Sequence, residues 1–232
     1  MQRTRIAARL GFTLPELLTV MMLIAVLLGM ILSAIRAIHR HALRTVALGE
    51  VKGIESAWKQ YYAHYQDWPD LADTPAEDGL SEDTTYLINH RIALVMHGDE
   101  NYGNVADDDK VNPDDIPLME FIHFDKKNGE NNNPINPWGL TVVDVNRCYY
   151  VRFDHDGDGR ISLPRPDSEP SSRTDENWRP ESYTDEGNGG DESHFVRAGV
   201  IVWTYNPEIH VGDKDGNDEK RDEERIIGSW KD

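Results

Sequence analysis

Gly11-Phe12-Thr13-Leu14-Pro15-Glu16-Leu17-Leu18 stands at the head of an apolar run, and no charged side chain occurs from Leu17 to Ile35. Val20 to Leu32 is almost wholly aliphatic or Met. About 20 residues of this kind cross a bilayer core of roughly 30 Å as a helix. Glu16 puts one carboxylate at the edge of that segment. A charge inside hydrocarbon costs a few kcal/mol or more, so it marks a function and calls for a cation.

The flank on the N-terminal side is basic. Arg3, Arg5 and Arg9 precede the run with no acid among them, as at the start of a secretory signal. A signal peptide then needs a small-residue cleavage site after the apolar core. Ser33-Ala34-Ile35-Arg36-Ala37 offers a passable candidate without a clear Ala-x-Ala. The alternative is a cut between Gly11 and Phe12, which leaves the whole apolar segment on the mature chain.

Gly11-Phe12-Thr13-Leu14-x-Glu16-Leu17-Leu18 behind a short basic leader resembles the class III signal of type IV pilins and of type II secretion pseudopilins. The resemblance implies a leader, residues 1–11, removed by a prepilin peptidase after Gly11. Phe12 would become the N-methylated first residue, and Glu16 the family's assembly carboxylate. Electrostatics agrees with this carry-over. The cut creates an amine on Phe12, and the Glu16 of a neighbouring copy can neutralise it, each charge relieving the other's desolvation. Pro15 falls in the first turn of the mature helix, where a missing N–H breaks no intrahelical bond. Many family members carry an aliphatic residue there.

Charge is divided unevenly along the 232 residues. Residues 1–66 hold eight basic and three acidic side chains, a net +5, while residues 67–232 hold sixteen and thirty-nine, a net −23. So acidic a region repels nucleic acid and anionic headgroups, which disfavours nucleic-acid binding as its main task. It suits open solvent or divalent cations. Cys148 is the sole cysteine, so an intramolecular disulfide is impossible, and its setting beside Tyr149 reads as a small packed residue.

Beyond the apolar run, helix is expected to continue to about Gln66. Leu43, Ala47, Val51, Ile54, Trp58, Tyr61 and Tyr65 recur at spacings of three and four and draw one apolar stripe. Arg36, Arg40 and Arg44 draw a basic one, open to lipid phosphate or simply solvated. Asp67-Trp68-Pro69-Asp70 stops the helix, which if unbroken from Phe12 would be on the order of 80 Å long. Further on, a helix is expected over about Thr84 to His97. Strands are expected over Leu140 to Val145, Tyr149 to Asp154 and Ala198 to Tyr205, with Glu120 to Asp125 ambiguous. Residues 164–194 read as a surface insertion or mobile loop.

One long helix followed by antiparallel strands predicts an α+β fold. The divisions are a leader at 1–11, a transmembrane or filament-core helix at 12–38, an amphipathic helix at 39–67 and an acidic head at 68–232. The resemblance extends into the head through Tyr61-Tyr62, Trp68-Pro69, the turn Asn136-Pro137-Trp138-Gly139, Val202-Trp203-Thr204-Tyr205 and Ile226-Ile227-Gly228-Ser229-Trp230. It implies the pilin fold, a helix packed on a small antiparallel sheet.

Asp154-His155-Asp156-Gly157-Asp158-Gly159-Arg160-Ile161 places oxygen ligands at alternate positions. In a calcium loop of EF-hand type the first, third and fifth residues give carboxylates and the seventh a backbone carbonyl. That assigns Asp154, Asp156 and Asp158, with Arg160 contributing its C=O. The twelfth position is Arg165 rather than an acid, so completion needs Asp144, Asp167 or Glu169. The other reading is an acidic β-turn. Asp213-Lys214-Asp215-Gly216-Asn217-Asp218 alternates without the glycine placement. The C-terminal calcium site of major pseudopilins is in doubt here because Ile226 occupies its acid's place, leaving Asp222, Glu223 or Glu224 as substitutes. Asp107-Asp108-Asp109 reads as a solvated loop.

No catalytic motif accompanies these features; Ser193-His194 is an isolated dipeptide, and an enzyme is not expected. The resemblance implies a structural subunit held in the inner membrane by a single pass, its head in the periplasm. Its partners would be copies of itself in a helical filament, the prepilin peptidase, minor pseudopilins and an inner-membrane assembly platform, with calcium fastening the head. A type IV pilus subunit for adhesion or DNA uptake, or a membrane-anchored calcium-binding domain that never polymerises, remain the alternatives.

Overall fold

The computed structural model describes residues 14–71, 85–98, 111–121, 123–124, 133–139, 147–165, 194–207 and 225–231. The chain separates into two units, Met1–Ala42 and Leu43–Asp232. The first helix, α1, runs Leu14–Tyr65 and contributes residues to both.

Over Leu14–Leu32, within the first unit, α1 is apolar on every side apart from Glu16 at its start. Leu14–Leu32 has a mean hydropathy of 2.3, and none of it is buried within the protein. By length and composition it can cross a membrane or act as a signal sequence. Glu16 sits in the first turn of α1 and is exposed, where a negative charge complements the positive end of the helix dipole. Thr19 Oγ1 donates to the Pro15 carbonyl at 2.8 Å, folding its hydroxyl back onto the helix instead of leaving it polar among aliphatic neighbours.

In the second unit the same helix is amphipathic. Ala47, Val51, Ile54, Trp58 and Tyr61 are buried, as the stripe predicts, and Arg40 and Arg44 on their respective units are exposed. The helix ends at Tyr65 because Gln66 turns left-handed at φ 61°, and Asp67 then takes the Trp68 N–H on its own side chain at 2.9 Å. Pro69 follows and cannot resume the ladder.

A four-stranded antiparallel sheet covers the stripe. Its strands are β1 (Thr85–Leu87), β2 (Tyr149–Phe153), β5 (Val200–Tyr205) and β6 (Ile226–Gly228), in the order β1-β2-β5-β6. Tyr149 pairs with Thr204 and Phe153 with Val200, so the two central strands run in full register. A second, two-stranded sheet joins β3 (Ile161–Ser162) to β4 (Phe195–Val196). The elements thus form an α+β arrangement, helices with antiparallel sheet.

All residues of β2 and β5 are buried, so the sheet has a core on each face. Strand alternation sorts the side chains. Tyr149, Val151, Phe153, Val200 and Val202 join Val51, Ile54, Trp58 and Tyr61 of α1 in one core. Tyr150, Ile201, Trp203 and Tyr205 join Ile161, Ile226 and Cys148 in the other. Trp58 packs edge-on against Phe153, ring centroids 5.2 Å apart.

Four sequence expectations need comment. The helix expected over Thr84 to His97 is instead β1 followed by the short helix α2 (His90–His97). Thr85, Tyr86 and Leu87 suit a pleat, and they pair with Arg152, Val151 and Tyr150. Asn89 breaks the pattern, its side chain accepting from Ile92 N at 3.0 Å as an N-cap. Glu120 to Asp125 forms, among its described residues, irregular chain with one bridge from Phe124 to Pro134. Leu140 to Val145 and residues 166–193 of the expected insertion lie outside the described residues.

Candidate metal centre

Strand β2 ends at Phe153 and β3 begins at Ile161, and the seven residues between them form the acidic loop. Its backbone is bent by two glycines in the left-handed region, Gly157 at φ 72° and Gly159 at φ 77°, a conformation that side-chain-bearing residues avoid. Between them the chain folds its amides onto its own carboxylates. Asp158 N donates to Asp156 Oδ1 at 3.1 Å, Gly159 N to Asp154 Oδ2 at 2.9 Å, and Arg160 N to Asp158 Oδ1 at 2.6 Å.

These bonds gather the three carboxylates. Asp154, Asp156 and Asp158 each present an oxygen within 4.8 Å of the others. At such separations each like-charge pair repels by roughly 1 kcal/mol even in water, and by several times that where water is partly excluded. Asp154 is 9 % exposed, and its Oδ1 is buried without a hydrogen-bond partner. Burial, followed by the nearby Asp156, pushes the Asp154 carboxyl above the usual carboxylate range, against the amides of Gly159 and Gly157, which pull it down.

The donor set is all oxygen and hard, which fits calcium better than a transition metal. The buried Asp154 Oδ1 is the one atom in the loop whose desolvation a cation would offset. Arg160 offers only its carbonyl, since its guanidinium lies over the Phe195 ring at 4.6 Å. The sequence-named residues Asp154, Asp156 and Asp158 are therefore brought together. Asp144, Asp167, Glu169, Asp213–Asp218, Asp222–Glu224 and Asp107–Asp109 lie outside the described residues, as do Gly11 and Phe12.

Sequence reasoning missed a second polar cluster beneath the sheet. Glu50, on α1, accepts a hydrogen bond from the Tyr149 hydroxyl and meets His123 Nδ1 at 3.0 Å. Burial, then the Glu50 charge, raises the Tyr149 hydroxyl pKa well above its ordinary value, so it stays a donor. The signal was available. Glu50 falls three residues after Ala47 and four before Ile54, inside the buried stripe, where a carboxylate needs partners.

A concavity of about 290 Å³ lies along α2, lined by His90, Ala93, Leu94, His97, Glu120, Phe121 and Phe124. Its lining mixes apolar side chains with two imidazoles and one carboxylate. Comparison of the chain with family models, curated proteins and solved structures finds no match.

Proposed function

We propose that this protein is a subunit of a type II secretion pseudopilus, a pilin-like chain released from its leader at Gly11 and drawn from the inner membrane into a helical filament. The observation that carries the reading is the wholly exposed apolar helix Leu14–Leu32, led by Glu16 and preceded in sequence by the Gly11-Phe12 junction. A helix apolar all round has nothing in water to satisfy it. Lipid meets that need in the waiting subunit, and packed copies of the same helix meet it in the filament. Glu16 and the methylated Phe12 amine of the next copy then set the axial register. The α+β head, with its sheet laid on the second half of α1, is compatible with a pilin fold and supports the reading.

Calcium is assigned to the head, held by Asp154, Asp156, Asp158 and the Arg160 carbonyl. The ion supplies positive charge that draws the three carboxylates together and stiffens the turn. With no cysteine pair to close a loop, the head relies on this coordination. Partners follow from the same reading: the prepilin peptidase, minor pseudopilins and an inner-membrane assembly platform.

The deciding experiment is the mass of the mature N-terminal peptide from cells. N-methyl-Phe12 is expected. A peptide beginning at Met1, or one beginning beyond Leu32, would overturn the filament reading and leave an uncleaved anchor or a secreted domain.

A further inference from the structure

The acidic loop is joined to the end of α1 by a row of rings. Tyr62 on the last turn of α1 lies against Trp68, centroids 4.4 Å apart. Trp68 stacks on Phe153 at 5.2 Å and 25°, and Phe153 is the residue directly before Asp154. Phe153 meets the His155 ring edge-on at 5.6 Å, and His155 in turn faces Tyr86 of β1 at 6.2 Å. Backbone contact runs parallel to the rings. Asp154 N donates to Gly199 O at 3.0 Å, and Gly199 is a glycine because a Cβ there would stand 2.8 Å from Trp68 Cζ2.

Asp154, the first ligand of the loop, is thus tied to Trp68 through Gly199, and Phe153 and His155 on either side of it are tied to Trp68 through stacking. The chain at Gln66–Asp70 leaves the helix with Gln66 turned back on it, its Nε2 donating to Ala63 O at 2.8 Å, and with Asp67 and Asp70 near enough to His155 to bear on its charge. Its left-handed turn at Gln66 donates to Tyr62 O at 2.8 Å, and Trp68 N is satisfied by the adjacent Asp67 side chain. Asp67 and Asp70 are exposed. An irregular segment at a helix exit opens locally at lower cost than the helix and sheet on either side of it.

We propose that cation binding at Asp154, Asp156 and Asp158 locks the exit of α1 through Trp68, so that calcium controls how firmly the head grips the helix that carries it. The inference rests on the calcium reading of the loop and adds what the ion regulates. Without the ion, the three carboxylates spread, Phe153 and Gly199 lose their fixed positions, and Trp68 loses its seat. With it, the loop, the β2 end and the helix exit become one rigid piece. Coupling of this kind is reciprocal: whatever factor calcium adds to closure of the exit, the seated Trp68 adds to calcium affinity.

The test uses the full-length chain in detergent micelles. Terbium luminescence and calorimetry with calcium report ion binding, while hydrogen–deuterium exchange of residues 60–71 reports closure of the exit. Calcium is expected to slow exchange there by roughly tenfold, and Asp156→Asn to abolish the effect. Trp68→Leu, at a half-buried position, is expected to free the exit and weaken calcium by a similar factor. Tight ion binding with unchanged exchange at 60–71, or equal calcium affinity in Trp68→Leu, would overturn the lock while sparing the calcium site. Absence of any ion binding would remove both, whatever the N-terminal peptide shows.

Discussion

The two halves of α1 are one secondary structure written for two solvents. Leu14–Leu32 exposes leucine, isoleucine, valine and methionine on every side, with none of it buried in the protein. From Leu43 to Tyr65 the apolar residues narrow to a stripe, and the stripe disappears under the sheet, Val51, Ile54 and Trp58 having no exposed surface. Helix propensity does not distinguish them. The difference lies in where the hydrophobic effect can act: within the chain for the second half, and only against something outside the chain for the first. Each half therefore answers to a different kind of perturbation.

The largest expected effect separates them completely. Glu16→Ala should leave N-methyl-Phe12 intact by mass spectrometry yet abolish the ladder of crosslinked copies formed through cysteines placed in residues 17–32. Normal ladders from the mutant would remove the register role of Glu16. Within the head, Trp58→Ala should cost about 3–5 kcal/mol in denaturant unfolding, since a fully buried indole leaves a cavity the sheet cannot close. Its counterpart Leu23→Ala should change head stability by less than about 0.5 kcal/mol. Equal losses would mean the two halves are not separate in the way their burial implies.

Chelation tests the head alone. A site loaded at a hundredfold excess over its Kd contributes roughly 2.7 kcal/mol, and each kcal/mol corresponds to about 2–4 °C in a unit of this size. Removing calcium should therefore lower the head's melting temperature by about 5–10 °C; an unchanged melt would delete the calcium assignment. Tyr149→Phe should cost about 1–3 kcal/mol, because Glu50 would lose the hydroxyl that donates to it and, among the described residues, keep His123.

The smallest effect is in pH. The folded Asp154 carboxyl is held above its ordinary value by burial and Asp156. In chelated protein its contribution to stability is fully present below the ordinary carboxylate pKa of about 4 and is lost as pH rises through the folded value. Calcium should reverse that slope, because the bound form is the carboxylate. Chemical unfolding between pH 4 and 6, with and without calcium, and with Asp154→Asn as reference, measures the sign.

What could be read from the chain alone follows the same division between pattern and partner. The buried stripe of α1 and the strands β2 and β5 were legible because period and composition agree along many residues. The expected helix at Thr84–His97 failed because Thr85–Leu87 is only three residues long, and its pairing with β2, some sixty residues away, decided its state. β3 and β4, two residues each, carry too little pattern to be seen at all. In the acidic loop the ligand spacing was visible, since alternation along a turn is local. The burial of Asp154 was not, because it depends on Gly199 and the sheet edge. Glu50 shows the reverse case: its place inside the stripe was visible, but its partners Tyr149 and His123 were far off in sequence.

Cys148 sits at the threshold of β2, 3 % exposed, its carbonyl taking the Thr204 hydroxyl at 2.8 Å. As the chain's sole thiol, it is shielded from alkylating reagents for as long as the central ladder stays closed. Its labelling rate is thus a built-in clock for unzipping of the head, and any sulfhydryl added on the surface would react first and alone.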